Sequence, residues 1–149
     1  RAVMENLTPI GKVFHAGTLA GNPLATAAGL AALNELTQDV YMELGARARA
    51  LSTLLRDACL SAGIVAQFPV VGTLVGAFFG PNTPTNFDEA KQTDEKMYAR
   101  LFHAMLAEGV ALAPGAYEAL FVGLGHNDSV MQQLAERTER AALAAVRAQ

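Results

Sequence analysis

A glycine-punctuated turn near the start of the chain runs directly into a helix: Phe14-His15-Ala16-Gly17-Thr18-Leu19-Ala20-Gly21-Asn22-Pro23. Gly17 and Gly21 allow the backbone to turn tightly and to approach a ligand, and Thr18 offers a hydroxyl and an N–H group. Asn22 is a favourable N-cap, and Pro23 suits the first helical position. Because a helix N-terminus carries partial positive charge, the stretch has the make-up of an anion-binding site. Many apolar helices also begin this way, so the residues alone leave both interpretations open.

Composition narrows the classes of protein to consider. With 149 residues, 52% of them hydrophobic, the chain is long enough to bury a substantial core. A formal charge of −3 with scattered basic residues argues against a nucleic-acid partner. The longest nearly apolar run, residues 68–79, contains proline and glycine and is too short to span a bilayer. The single cysteine, Cys59, excludes an internal disulfide, and no secretory leader is visible, so we expect a reduced, cytoplasmic setting.

Helical periodicity dominates the first half of the chain. A first helix is predicted from about Pro23 to Leu36, and its many alanines and few charges predict burial on most sides. A second is predicted from Val40 to Ala62, where apolar residues recur at three- and four-residue steps and Gly63 provides a natural stop. Glu43 and Arg47 are four residues apart, which predicts an ion pair on its outer face.

The second half of the chain alternates between strand and helix patterns. Strands are expected at residues 64–67, 74–79, 110–113 and 119–124, the last of these pairing with 110–113. A helix is expected from Asn86 or Asp88 to about Glu108, and a final one is capped by Asn127 or Asp128. The order helix, strands, helix, strands, helix predicts an α+β fold, in which a small sheet is covered by helices on one side.

Two blocks of the sequence resemble one enzyme family. Residues 16–23 (Ala-Gly-Thr-Leu-Ala-Gly-Asn-Pro) and 27–31 (Ala-Ala-Gly-Leu-Ala) are similar to the segment after the active-site lysine in the glutamate-1-semialdehyde 2,1-aminomutase family. These are class III, fold type I enzymes that use pyridoxal phosphate. The second block extends from residues 85–91 to Tyr117-Glu118-Ala119. The resemblance covers nearly the whole chain. It implies that residues 1–38 are the phosphate-binding turn and connecting helix at the end of the large domain, and residues 39–149 the small C-terminal α+β domain.

The resemblance also implies roles for three residues. Gly17 and Thr18 would hold the phosphate of pyridoxal or pyridoxamine phosphate in the neighbouring subunit of a homodimer with a shared active site. Glu118 would lie near the small-molecule amino-acid substrate and pair with an arginine of the other domain. From the residues alone, Glu118 is the one carboxylate between Val110 and Leu124, and it either faces water at a strand end or needs a partner.

The reacting centre of such an enzyme is expected outside this chain. Pyridoxal phosphate chemistry needs a Schiff-base lysine, and the family places it upstream of the threonine motif, hence upstream of Arg1. Lys91 and Lys96 lie among acidic residues in a pattern typical of a solvated helix face, and Lys12 lies in a predicted loop. The fragment alone is therefore expected to be inactive.

Departures from the family pattern leave other functions open. Phe14-His15 stands where the family usually has Tyr-Gln, and Ala20 stands where a serine is usual, so the chain could instead belong to a related class III aminotransferase. A non-catalytic α+β module, whose apolar first helix serves dimerisation, is the alternative from another class. His15, His103 and His126 show no metal-ligand spacing with one another or with Cys59, and no metal site is expected.

Overall fold

A computed structural model describes residues 1–147 of the chain, which divides into two units, Arg1–Thr37 and Gln38–Gln149. The first unit contains a 3₁₀ turn, Met4–Asn6, a bridge between Leu7 and Val13, and helix α1, Pro23–Glu35. The Asn22 side chain accepts hydrogen bonds from the backbone N–H groups of Leu24 at 3.0 Å and Ala25 at 3.2 Å. The start of α1 is therefore capped as predicted.

Helix α1 differs from its prediction in burial. The sequence predicts a helix buried on most sides, but none of its 13 residues is buried in the structure. Leu24, Leu30 and Leu33 are 80%, 61% and 66% exposed. The apolar residues surround the whole helix, so no single face could be covered by a short neighbouring segment.

The second unit is built on α2, Gln38–Ser61, which buries the predicted apolar stripe from Ala48 to Ala58, while the ends of the stripe are only partly buried. Gly63 follows with φ +76° and ends the helix in the left-handed conformation that favours glycine. Helix α2 packs against β1, β2 and the last helix of the chain. The core includes Leu51, Leu55, Ala58 and Cys59 of α2, together with Phe68, Val75, Phe79, Tyr98, Leu101, Met105 and Ala141.

Arg47 of α2 is placed differently from its prediction. Its guanidinium pairs with the Glu43 carboxylate, as the spacing predicts. The side chain is only 20% exposed, however, because Nη1 also donates to the backbone carbonyls of Leu124 at 2.7 Å and His126 at 2.6 Å. The outer-face assignment is wrong, since the guanidinium turns towards the segment before the last helix.

The sheet has three short antiparallel strands in the order β1 (Val70–Val71), β2 (Leu74–Val75), β3 (Leu120–Phe121). The β1–β2 turn contains Gly72 at φ +60°. Val70 pairs with Val75, and Val75 pairs in turn with Leu120. The α+β fold is confirmed, but the strands are shorter than predicted: residues 64–67 contribute only an isolated bridge from Gln67 to Phe78.

The predicted strand at residues 110–113 is absent, and β3 pairs with β2 instead. The backbone groups of this segment are used elsewhere. The Val110 N–H group donates to the Met105 carbonyl at 2.8 Å, and the Ala113 carbonyl accepts from the Tyr98 hydroxyl. A segment whose N–H and C=O groups are satisfied in this way has fewer available for a strand ladder.

The helix predicted from residue 86 or 88 to residue 108 is two helices, α3 (Phe87–Ala90) and α4 (Glu95–Ala107). Two side chains make the break. The Thr93 hydroxyl donates to the Ala90 carbonyl at 2.7 Å, and the Asp94 carboxylate accepts from the Met97 N–H group at 2.9 Å. Both bonds offer the backbone an alternative to continuous helix. Gly109, at φ +76°, follows α4 as predicted.

The last helix, α5, spans Asp128–Arg147, and the Asn127 side chain accepts from the Val130 N–H group at 3.1 Å. Its buried residues are Thr138, Ala141, Ala142 and Ala145. Because these side chains are small, α5 can approach α2 and α4 closely.

Candidate functional site

In the turn before α1, Thr18 has two exposed hydrogen-bond donors, its hydroxyl and its backbone N–H group. The Ala20 N–H group donates to the Gly17 carbonyl at 3.0 Å, and the Asn22 N–H group donates to the Leu19 carbonyl at 3.0 Å. Residues 14–22 are all exposed. Within residues 1–147, neither the hydroxyl nor the backbone N–H group of Thr18 has a hydrogen-bond partner. Both donors are therefore available to a ligand.

The two glycines of this turn differ in whether the structure requires them. Neither Gly17 nor Gly21 has a positive φ. A Cβ atom added at Gly17 would lie 3.1 Å from the Ala20 Cβ, whereas one added at Gly21 would meet open space. Gly17 thus permits the close turn from residue 17 to residue 20, whereas neither the backbone conformation nor the space at residue 21 requires a glycine, contrary to the prediction for Gly21.

Thr18 offers a phosphate more unoccupied hydrogen-bond donors than the capped first turn of α1 does. Asn22 already occupies the N–H groups of Leu24 and Ala25, two of the first donors of the helix. The helix dipole still favours negative charge near this end. A phosphate oxygen placed at the turn would find the hydroxyl and N–H donors of Thr18 unoccupied, and Gly17 adds no side chain to obstruct it.

Glu118 lies in the second unit, in an exposed turn two residues before β3. Its Oε1 atom accepts a hydrogen bond from the Gly115 N–H group at 3.0 Å, and its own N–H group donates to the Gly115 carbonyl at 3.2 Å. The side chain is therefore folded back on its own turn. Burial raises the pKa of the neighbouring Tyr98, and the negative charge of Glu118 raises it further.

Tyr117, next to Glu118, connects this turn to the two preceding helices. Its hydroxyl donates to the carboxylate of Glu95, the first residue of α4. That hydrogen bond raises the pKa of Tyr117. The Tyr117 ring packs edge-on against Phe87 of α3, with centroids 5.6 Å apart and planes at 73°, and the Lys91 ammonium lies 5.1 Å from the Phe87 centroid. Sequence reasoning did not identify this cluster, although an aromatic residue directly before Glu118 was a usable signal.

The remaining residues singled out by sequence have structural or solvent-facing positions. Lys91 pairs with Asp88 at 2.8 Å, and Lys12 and Lys96 are exposed. The His126 Nδ1 atom accepts from the Gly123 N–H group at 3.0 Å, so this nitrogen is not free to act as a base. Burial raises the pKa of the Cys59 thiol to about 12, which leaves it protonated and unreactive at neutral pH.

A cavity of about 630 Å³ lies in the second unit, between α2, α4, α5 and the segment from Gly109 to Val122. Its walls are mainly apolar, and its polar side chains include His126 and Arg137. Arg137 donates to the Glu108 carbonyl at 2.8 Å. Both side chains already serve the local backbone, which leaves Gln133 as the remaining polar side chain of the wall. A single such group is not the convergent set of polar groups that marks an active site.

Residues 1–147 contain neither a cluster of metal-ligating side chains nor a helix that could span a membrane. Among these residues, no group of three or more His, Cys, Asp and Glu side chains is arranged to hold a metal ion. The helices in this range are also too short or too polar to cross a bilayer.

The fold is that of the C-terminal region of fold type I, pyridoxal phosphate-dependent transaminases. A β-phenylalanine aminotransferase from Variovorax paradoxus matches 93% of this chain and 32% of its own, with a TM-score of 0.69 and 26% identity. A glutamate-1-semialdehyde aminomutase from Pseudomonas aeruginosa, solved in complex with PMP, matches 88% of this chain and 30% of its own, with a TM-score of 0.72 and 23% identity.

Within that class, the chain is similar in sequence to glutamate-1-semialdehyde 2,1-aminomutases, which confirms the predicted resemblance. The protein of that name from Desulfosudis oleivorans is 43% identical over 129 residues, 86% of this chain and 30% of the relative. The one from Gemmatimonas aurantiaca is 40% identical over 146 residues, 98% of this chain and 34% of the relative. The chain thus spans about a third of the length of the curated relatives it matches. No protein-family model matches it.

Proposed function

We propose that this chain is the phosphate-binding and substrate-binding segment of a pyridoxal phosphate-dependent glutamate-1-semialdehyde 2,1-aminomutase. The whole enzyme would convert glutamate-1-semialdehyde to 5-aminolevulinate for tetrapyrrole synthesis in the cytoplasm. The observation that carries the proposal is 40% identity to a protein of that name over 98% of the chain.

The residues of the turn support a role in holding the cofactor. Gly17 and Thr18 would bind the cofactor phosphate of the partner subunit in a homodimer, with the Thr18 hydroxyl and N–H group as donors. Thr18 is exposed and has neither donor occupied within the described part of the chain, as this role requires. When bound, pyridoxal phosphate supplies an electron sink for amino-group transfer. This chain's own residues would bind and orient it, and the Schiff-base lysine would lie outside the chain.

Glu118 would act on the substrate side of the same reaction. Its carboxylate is exposed, and its Oε1 atom is held by the Gly115 N–H group. We place it near the substrate carboxylate, where it would pair with an arginine from the other domain and so orient that arginine. The pairing of opposite charges would fix the orientation of the arginine more strongly than a neutral hydrogen bond could.

The reaction distinguishes the mutase from its relatives. A mutase turns over glutamate-1-semialdehyde with no second substrate, whereas an aminotransferase needs an amino donor and a keto acid. We therefore expect the full-length enzyme to form 5-aminolevulinate from glutamate-1-semialdehyde alone. Turnover only with an amino donor and a keto acid would contradict the mutase assignment.

A related class III aminotransferase is the second candidate. The β-phenylalanine aminotransferase shares 26% identity with this chain and a TM-score of 0.69. Phe14-His15 also departs from the Tyr-Gln pair usual in the aminomutases, so the contacts next to the cofactor would differ. This candidate keeps the cofactor and the role of Thr18 but changes the substrate.

A non-catalytic dimerisation module is the third candidate. Its support is the exposed apolar surface of α1, in which Leu24 is 80% exposed. It requires no cofactor, so tight binding of pyridoxal phosphate by the full-length protein would contradict it.

The variant Thr18→Val tests the phosphate-binding role in the full-length enzyme. Loss of a hydrogen bond from the hydroxyl to a charged phosphate should weaken cofactor retention by about 1.5 to 3 kcal/mol. Retention is measured from cofactor absorbance after dialysis. Thr18→Ser, which keeps the hydroxyl, is the matched control and should retain cofactor like the wild type. If Thr18→Val also retains it fully, Thr18 is not a phosphate ligand.

A further inference from the structure

The Glu118 side chain folds back over residue 115 of its own turn. It occupies space that is free only because residue 115 is a glycine. A Cβ atom added at Gly115 would lie 2.6 Å from the Glu118 Oε1 atom and 3.3 Å from its Cγ atom. The carboxylate therefore lies directly over the Gly115 backbone, from which it accepts its hydrogen bond at 3.0 Å. Gly115 has no positive φ, so an alanine there would meet the carboxylate without straining the backbone.

Tyr117 restrains the same turn through contacts of its own. Its hydroxyl is bound to the Glu95 carboxylate and its ring packs on Phe87. Glu95 and Phe87 are the first residues of α4 and α3, so each is fixed by the start of a helix. The two adjacent residues are thus held by different contacts: the Tyr117 side chain contacts α3 and α4, and the Glu118 carboxylate bonds to Gly115.

We propose that Gly115 and Tyr117 are positioning residues that set the location of the Glu118 carboxylate for substrate binding. Tyr117 holds the backbone from which Glu118 projects, and Gly115 provides both the hydrogen bond and the space for its carboxylate. The inference rests on the proposed role of Glu118 at the substrate site. Gly115 and Tyr117 themselves are assigned no contact with substrate. They affect substrate binding only by positioning Glu118.

The test uses Gly115→Ala and Tyr117→Phe in the full-length holoenzyme. Each should raise the KM for the amino substrate about three- to tenfold, the effect of about one hydrogen bond, and leave kcat within about twofold. Tyr117→Phe keeps the ring contact with Phe87 and removes only the hydroxyl. Gly125→Ala is the matched control: Gly125 has no positive φ, and an added Cβ atom would meet open space, so its KM should equal that of the wild type.

Combination with Glu118→Gln separates positioning from a general structural effect. If Gly115 and Tyr117 act through Glu118, each double variant should have the KM of Glu118→Gln alone, because the group that they position has already lost its charge. Independent effects that multiply in the double variants would overturn the inference. A KM unchanged in both Gly115→Ala and Tyr117→Phe, or unchanged in Glu118→Gln, would overturn it as well.

A failure of the proposed function can be distinguished from a failure of this inference. KM and kcat are measured with glutamate-1-semialdehyde as substrate. If the wild type turns over only an amino donor with a keto acid, these are used instead. A wild type that turns over neither contradicts the enzyme assignment and the inference together. A wild type that is active while its positioning variants have unchanged KM contradicts the inference alone.

Discussion

At the scale of single residues, Arg47 joins parts of the chain that are far apart in sequence. Its Nη1 atom bonds the carbonyls of Leu124 and His126, 77 and 79 residues away, while Nη2 pairs with Glu43 one helical turn away. The spacing of Glu43 and Arg47 predicts the local pair only. The distant carbonyls are the more important partners, because withdrawing the donor leaves them unsatisfied, and the hydrogen bond to the His126 carbonyl is partly buried.

Replacing Arg47 should therefore cost more than breaking its ion pair. Arg47→Met removes the donor to both carbonyls, and we expect the free energy of unfolding to fall by about 1–3 kcal/mol. Glu43→Gln removes only the charge of an exposed partner, and the expected loss is under about 1 kcal/mol. Urea denaturation of both variants measures the difference. Equal losses would show that the guanidinium stabilises the protein through Glu43 alone.

At the scale of elements, capping residues determine where the helices begin and end. Asn22 and Gly63 lie at the predicted boundaries of α1 and α2. Thr93 and Asp94 divide the single predicted helix into α3 and α4. The apolar stripe from Met97 to Leu106 lies wholly within α4. The sequence prediction extended that helix back to residue 86 or 88 and missed the break, because it overlooked the local side-chain caps.

Gly72 offers a test of turn geometry in the sheet. It has φ +60° between β1 and β2, a conformation in which a Cβ atom is disfavoured. Gly72→Ala should therefore lower the free energy of unfolding by about 1–2 kcal/mol. Gly80→Ala is the control, since Gly80 has no positive φ and open space where its Cβ atom would lie. Thermal or urea unfolding of the two variants should differ; similar midpoints would mean that the turn relaxes without cost.

At the scale of the whole molecule, the buried thiol makes stability depend on alkaline pH. Burial raises the pKa of Cys59 from 9.0 to about 12, so between these values the unfolded chain loses a proton that the folded chain keeps. Ionisation then favours the unfolded state, and stability should fall as pH rises from about 9 towards 12, by up to about 1.4 kcal/mol per pH unit. Below pH 9 both states are protonated and this contribution is constant.

Cys59→Ala isolates the contribution of the thiol. The substitution lowers stability at every pH by removing a buried atom, but it should flatten the decline between pH 9 and pH 10. Urea denaturation at a series of pH values measures the slope. The same slope in wild type and variant would show that other groups cause the alkaline loss. Tyr98, whose pKa is also raised, adds to the decline at higher pH in both proteins.

The sequence alone predicts the α+β class, the helix starts at Asn22 and Asn127, the helix stops at Gly63 and Gly109, and the motif around Gly17 and Thr18. The α+β class follows from the order of helical and strand patterns along the chain. The helix boundaries depend on residues within one or two turns of each other, where capping and glycine conformation act directly.

The strand pairing and the surroundings of Glu118 depend on the tertiary structure. β3 pairs with β2 across 44 or more intervening residues, and Tyr117 reaches Glu95 across 22 positions. Residues 110–113 have a strand-like composition, yet the Val110 N–H group and the Ala113 carbonyl bond to Met105 and Tyr98. Which donor meets which acceptor depends on how distant segments pack. The local apolar pattern carries no information about that choice.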